Sequence, residues 1–454
     1  MHEVYVINPC DVLGRVQNLS PIWLRLPFWP ADKGWTTMLG LPIDAVFLVP
    51  LAALPWRRSV AVAIPLFLAM VSPAVIFAME RGNQDLIIFV LIIVGIVLLE
   101  QPFTARMLGY SSILLAALLK FYPLVLLIVL LRENPRTALW LIVAAIAIIV
   151  GVAWNFQAEF YAALANIPMP PTFIPGFGAG RLPHGVGVML SKFGIAPSAS
   201  IVQSVSFLVL AVSACTLAIK LASASAFRSA FDRLTTRETL CLVSGAALIC
   251  GCFFTGTSSL YRGVLFLLVL PGLVALAHLS SSKTVGRMVR ATTWLTLSLL
   301  FSLPVGRLVD RLFGRVQLPD APLMTLIYWL VCELAWWWIA AMLSAILIRF
   351  VLVPLSHCHT RSLRGTDPGR CSPGCLPPSI RHQSFLSRKP DPMHWSACST
   401  VWRFSRLPPT VADRRNAGYG FGRGWHYLFV RPSTHSWRII RRCCSSRRAS
   451  RRSD

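Results

Sequence analysis

Residues 106–136 read RMLGYSSILLAALLKFYPLVLLIVLLRENPR. Two basic groups, Arg106 and the Arg132 to Arg136 cluster, flank one apolar block. Basic residues of membrane proteins collect on the cytoplasmic side, so a single crossing would strand one of the two groups. The block is also interrupted at Lys120-Phe121-Tyr122-Pro123, where proline lacks a backbone donor and a lysine is costly against lipid. Two short helices that enter the membrane and return satisfy both facts. Irregular backbone at membrane depth persists only where protein buries it or it lines a wet cavity, so Lys120 is expected to face a site.

The rest of the chain fits a membrane setting. Its 454 residues are 55% hydrophobic and 13% charged, and the mean hydropathy is +0.64. Soluble domains carry roughly 25% charged residues, so this chain must meet lipid. Apolar blocks at roughly 37–56, 59–78, 86–102, 107–131, 137–156, 201–222, 239–255, 263–280, 291–306 and 322–349 are span candidates. The expected fold class is all-α, a polytopic transmembrane helical bundle.

The formal net charge of +25 suggests nucleic acid until its distribution is read. Residues 1–350 hold 24 basic and 14 acidic residues, and +15 of the net charge lies after them. In the first part the basic residues fall between apolar blocks and act as topology determinants, so no nucleic-acid partner is expected. With Arg57 and Arg58 in the cytoplasm, Glu80 to Asp85 fall outside and Arg106 inside. Further along, 157–200 fall outside, Lys220 to Arg237 inside, Gly256 to Arg262 outside, and Lys283 to Arg290 and Arg349 inside. Arg307, Arg311 and Arg315 resist this scheme by falling outside, where a basic patch would suit an anionic lipid headgroup. Residues 1–36 form an outer loop, which reads as following a first helix upstream of an internal methionine start.

From 351 to 454 the composition turns to Arg, Ser, Pro, His, Cys and Trp without apolar periodicity. Such a segment cannot bury enough apolar surface to order itself, and it reads as a disordered basic tail or as translation in a shifted frame. Its His357, Cys358, His359, Cys371 and Cys375 match no common zinc spacing, so no metal is expected. Cys10, Cys215, Cys241, Cys250, Cys252 and Cys332 lie in the first part, mostly in apolar runs, as small hydrophobes.

Four polar clusters stand out because ionisable groups at membrane depth are expensive. They are Asn8-Pro9-Cys10-Asp11, Glu80-Arg81-Gly82-Asn83-Gln84-Asp85, Leu119-Lys120-Phe121-Tyr122-Pro123, and Gly256-Thr257-Ser258-Ser259-Leu260-Tyr261-Arg262. Each admits a plainer role. Asp11 fits a loop turn, Glu80 and Arg81 an interfacial ion pair, and Asp85 a helix cap; Lys120 can snorkel, and Arg262 can anchor beside Tyr261. In the loop 157–200, Ile167-Pro168-Met169-Pro170-Pro171 and Gly176-Phe177-Gly178-Ala179-Gly180 read as a folded cap, with His184 structural.

The combination of E-R-G-N-x-D, then L-K-x-Y-P, then Y-R and an apolar block reaching Leu270-Pro271 resembles glycosyltransferase family 87 of the GT-C superfamily. The resemblance covers roughly residues 5–350. It implies a GT-C-like hexosyltransferase of the cytoplasmic membrane, taking a sugar, usually mannose, from a polyprenyl-phosphate donor to a lipid or glycan acceptor on the outer face. The donor is a substrate, and no cofactor is implied. By resemblance Asp11 is the catalytic base and Lys120 and Arg262 bind the donor phosphate. Glu80, Arg81, Asn83, Asp85, Tyr122 and Tyr261 then orient the substrate. Two other readings stand beside it: a lipid or small-solute transporter, which calls for broken helices in both halves, and a polymerase or ligase of lipid-linked glycans.

Overall fold

A computed structural model describes residues 20–25, 35–56, 60–165, 172–192, 194, 198–257, 260–313 and 323–362. The helices are α1 Pro21–Arg25, α2 Trp35–Leu51, α3 Val60–Met70, α4 Pro73–Glu80, α5 Gln84–Leu99, α6 Phe103–Leu119, α7 Pro135–Asn155 and α8 Gln157–Ala165. They continue as α9 Arg181–Lys192, α10 Ala199–Ser223, α11 Ser225–Phe231, α12 Thr236–Thr255, α13 Phe266–Leu279, α14 Lys283–Leu300, α15 Ser302–Phe313 and α16 Leu323–Ser362. Two 3-10 segments, Tyr122–Arg132 and Leu260–Leu265, complete the elements, and no β-strand occurs among the described residues.

Five helices are long and apolar enough to cross a bilayer: 135–155, 200–223, 236–255, 261–279 and 323–352. Two bent pairs, α3 with α4 and α14 with α15, raise the total to seven if each is one span. The chain is therefore a multi-pass helical membrane protein by length and composition. Burial separates its layers. The apolar windows of the 236–255 and 261–279 helices are 78% and 83% buried, whereas those of α7 and α10 are 11% and 17% buried. Thus α12 and α13 form the centre, and α7 and α10 present Trp140, Ile146, Val205 and Val212 outward.

Several expected spans are shorter or bent. The block 59–78 divides because Ser72 caps a new helix through Val75 N, and Pro73 stands at its first position, where no donor is needed. The result is a 47° bend between α3 and α4. Blocks 86–102 and 107–131 give the short helices α5 and α6 and the 3-10 segment Tyr122–Arg132. With 16 residues, α5 is about 24 Å long, less than the hydrocarbon core. The last helix, α16, runs to Ser362, past the expected start of the tail at 351. The remaining tail, 363–454, lies outside the described residues, as do residues 1–19.

The path through 103–133 doubles back on itself. Glu133, just past the 3-10 segment, accepts from Tyr110 Oη at 3.0 Å and comes within 3.5 Å of Arg106 Nε. Both basic groups of the opening stretch therefore sit at one end of the bundle. Glu100 and Arg237 meet through two guanidinium nitrogens at 2.5–3.2 Å, and Asp232 and Arg349 pair at 2.7 Å. These partners all carry the same expected side. At the opposite end, Ala179 N of the cap donates to Phe253 O at 2.7 Å, near the C-terminal end of α12.

Candidate functional site

The site begins with a helix stop followed at once by a helix start. Gly82 has φ +51°, and its N–H donates to Met79 O while Asn83 N donates to Ala78 O, at 2.8 and 2.9 Å. That pairing closes α4 in a Schellman motif, for which glycine is preferred because its left-handed backbone meets no Cβ penalty. Asn83 then caps α5, its Oδ1 accepting from Asp85 N at 2.9 Å. Cap chemistry thus explains the Gly-Asn pair and leaves Asp85 over.

Asp85 is 0% exposed, and its Oδ1 accepts from Lys120 Nζ at 2.6 Å and from Tyr122 Oη at 2.7 Å. Its Oδ2 has no partner among the described residues. Lys120 ends α6 in an extended conformation with φ −154°, so the break places its ammonium beside α5. The carbonyls left at that helix end are taken by a distant segment: Ser20 Oγ donates to Leu118 O and Trp23 Nε1 to Leu119 O, both at 2.9 Å. The stretch that follows Asp11 in sequence is therefore fastened to the turn bearing Lys120.

The fourth cluster arrives from the other half of the chain. Lys120 Nζ lies 5.7 Å from the ring centroids of both Tyr122 and Tyr261, and Arg262 Cζ lies 5.4 Å from that of Tyr122. Tyr122 thus contacts two cations through its ring and one anion through its hydroxyl. Two basic side chains face one acidic one, so the cluster carries a formal net charge of +1. Arg262 Nε has no hydrogen-bond partner among the described residues. Beside it lies a void of about 10 Å³ lined by Cys252, Phe177 and Trp336 among others. That space holds about one water, so a larger ligand enters only if the surrounding segments move.

Of the residues expected in the site, Asp85, Lys120, Tyr122, Tyr261 and Arg262 come together, with Asn83 beneath them as a cap. Glu80 and Arg81 stay outside the cluster: both are exposed, and the Arg81 guanidinium lies 4.5 Å from the Phe77 ring centroid. Asp11 lies outside the described residues. The cap role falls to Asn83, and the Asp85 carboxylate turns instead to Lys120 and Tyr122.

The cap carries a pair that the polar clusters did not include. Arg181, 5% exposed, donates from Nε to Glu333 Oε1 at 3.1 Å, and Glu333 is 1% exposed. Arg181 also donates to Ile174 O. Phe173 and Phe177 set their rings edge-on to Trp329 and Trp336 of α16. At Gly178, φ +146°, a Cβ would stand 2.8 Å from Gly256 O, so the cap approaches the segment leading to Tyr261 more closely than a side chain allows. The sequence signal for the pair is Glu333 itself, the sole carboxylate of the block 322–349.

In the second half, the 3-10 segment Leu260–Leu265 precedes α13, and α14 turns into α15 by 67°. Among the described residues no group of His, Cys, Asp and Glu is arranged to hold a metal ion. The chain matches no protein-family model, no curated protein and no solved structure.

Proposed function

We propose that the chain is a membrane hexosyltransferase of GT-C type that uses a polyprenyl-phosphate sugar, most simply mannose, as donor at the outer face of the cytoplasmic membrane. The supporting observation is the joint placement of Lys120 and Arg262, 142 positions apart, around Tyr122 at a helix break. A phosphate monoester or diester is the anion that such a pair suits, with Arg262 able to contact two oxygens and Lys120 acting as a point charge.

In the proposed reaction an acceptor hydroxyl attacks the anomeric carbon, and the bond from that carbon to the phosphate oxygen breaks. The acceptor proton passes to a carboxylate, for which Asp11 remains the proposed base, and the polyprenyl phosphate leaves with the bonding electrons. Lys120 and Arg262 stabilise the charge that develops on the departing oxygen. Asp85 holds Lys120 in place. The Tyr122 and Tyr261 rings form apolar walls beside the cations. Because the void at Arg262 is small, entry of the donor requires the cap over residues 172–192 to shift.

The experiment is transfer from radiolabelled polyprenyl-phosphate-mannose into membrane lipids by membranes containing the full chain. Lys120→Ala and Arg262→Ala are each expected to lower transfer by about 100-fold or more, the scale seen when one group stabilising a developing oxyanion is removed. Retention of wild-type transfer by both variants would overturn the reading.

The transporter reading gains support from the break at Lys120, since transporters build midplane sites from discontinuous helices. Label that crosses a proteoliposome bilayer unchanged, with none in new glycosidic linkage, favours that reading.

A further inference from the structure

We propose that α15 lies flat in the membrane interface beside the cap, sinking one apolar stripe among acyl chains and holding anionic phospholipid phosphates with Arg307 and Arg311. This inference is independent of the transferase reading.

The helix has 12 residues, about 18 Å of rise, which cannot span the hydrocarbon core. It departs from α14 by 67° across Phe301, a bend that allows it to leave that crossing. One side packs on protein. Ser302 and Gly306 are buried, Tyr328 Oη donates to Ser302 O at 2.9 Å, and a Cβ on Gly306 would stand 3.2 Å from the Tyr328 ring and 3.8 Å from Pro175 of the cap. The helix is therefore held against both α16 and the cap.

Its other two sides differ in chemistry. Val305, Leu308 and Leu312, spaced i, i+3 and i+7, are 40%, 53% and 61% exposed and form one apolar stripe. Arg307 and Arg311, spaced i and i+4, share another exposed stripe with Asp310 near by. The Asp310 carboxylate accepts from Thr325 Oγ1. A helix with separate protein, acyl-chain and charged faces matches the geometry of an interfacial helix lying in the membrane plane. Two arginines on its charged edge add attraction for anionic headgroups.

Sidedness gives the charge a reason. Lys and Arg on the outer side are the ones topology does not call for, and these two stand on the end where the cap lies. A headgroup phosphate supplies what the apolar stripe beside them already implies, namely a lipid surface.

The test places the photo-crosslinking residue p-benzoylphenylalanine at position 308 of the full chain, in nanodiscs of phosphatidylcholine or of its equimolar mixture with phosphatidylglycerol. Illumination is expected to give lipid adducts in both. In the mixture, phosphatidylglycerol adducts should outnumber phosphatidylcholine adducts about tenfold. Arg307→Gln with Arg311→Gln should remove that excess while lipid capture persists, and Arg307→Lys with Arg311→Lys should retain most of it. Capture of protein, no capture, equal capture of both lipids, or an excess unchanged by the glutamine pair would each overturn the proposal.

Discussion

Asp85→Ala is expected to destabilise the protein by about 3–5 kcal/mol, because it leaves an ammonium group without its counter-charge in the bundle. Asp85 is fully buried and the Lys120 side chain is 17% exposed, so little water is at hand to replace the carboxylate. Tyr122→Phe removes only the second donor to Oδ1 and should cost less, about 1.5–3 kcal/mol. Lys120→Met leaves the carboxylate its Tyr122 donor, so its cost falls below that of Asp85→Ala. The informative variant is Asp85→Asn with Lys120→Met, which removes both charges while keeping the shapes. Stability, read from thermal unfolding in detergent, should return to within about 1.5 kcal/mol of wild type, whereas transfer should stay lost. If the double variant transferred sugar, the pair would be structural and the phosphate role of Lys120 would fall.

The fold was legible in the sequence to the extent that charge and hydrophobicity act locally. Arg106 and the Arg132 cluster demanded that both ends of the stretch lie together, and the contact of Arg106 with Glu133 fulfils that demand. Lys120 and Pro123 marked the break because both carry penalties that need no tertiary context. Bends were less legible. Nothing within the block 59–78 except Ser72-Pro73 signalled that α3 and α4 would part, and serine-proline pairs are common in loops as well as in kinks. Of the site, the cation pair and its tyrosines could be named because each stood out against apolar surroundings. Their assembly depends on crossings between α5, α6 and the segment before α13, which no local pattern encodes. Glu80 and Arg81 show the reverse case. They sit in a motif whose Gly82 and Asn83 are required by the turn, so proximity in sequence to Asp85 carried them into the expectation without a contact to justify it.

Arg181→Ala should cost about 3–5 kcal/mol as well, and here the loss belongs to the cap. Arg181 starts α9 and reaches Glu333 on α16, where 1% exposure leaves the carboxylate no water to turn to. The same guanidinium donates to Ile174 O, so its removal also frees a carbonyl in the loop before α9. Phe173 has φ +65°, a conformation unfavourable for a bulky residue, and it is held by its ring contact with Trp329. A cap that loses Arg181 has this strain working against it. Amide exchange over 172–192 should accelerate, and the unfolding midpoint should fall by about 5–10 °C. Arg181→Met with Glu333→Leu separates two reasons for the effect. Buried ion pairs replaced by apolar residues of similar size are often neutral for stability, so the midpoint should recover. If the cap's slow exchange recovers too, apolar packing against Trp329 and Trp336 is what keeps it closed, and the pair serves mainly to fix its register. If exchange stays fast while the midpoint recovers, the ion pair itself is the latch, and a donor lipid would gain entry by breaking it. A loss below about 1 kcal/mol for Arg181→Ala would contradict both, since it would mean that Glu333 finds another partner at no cost.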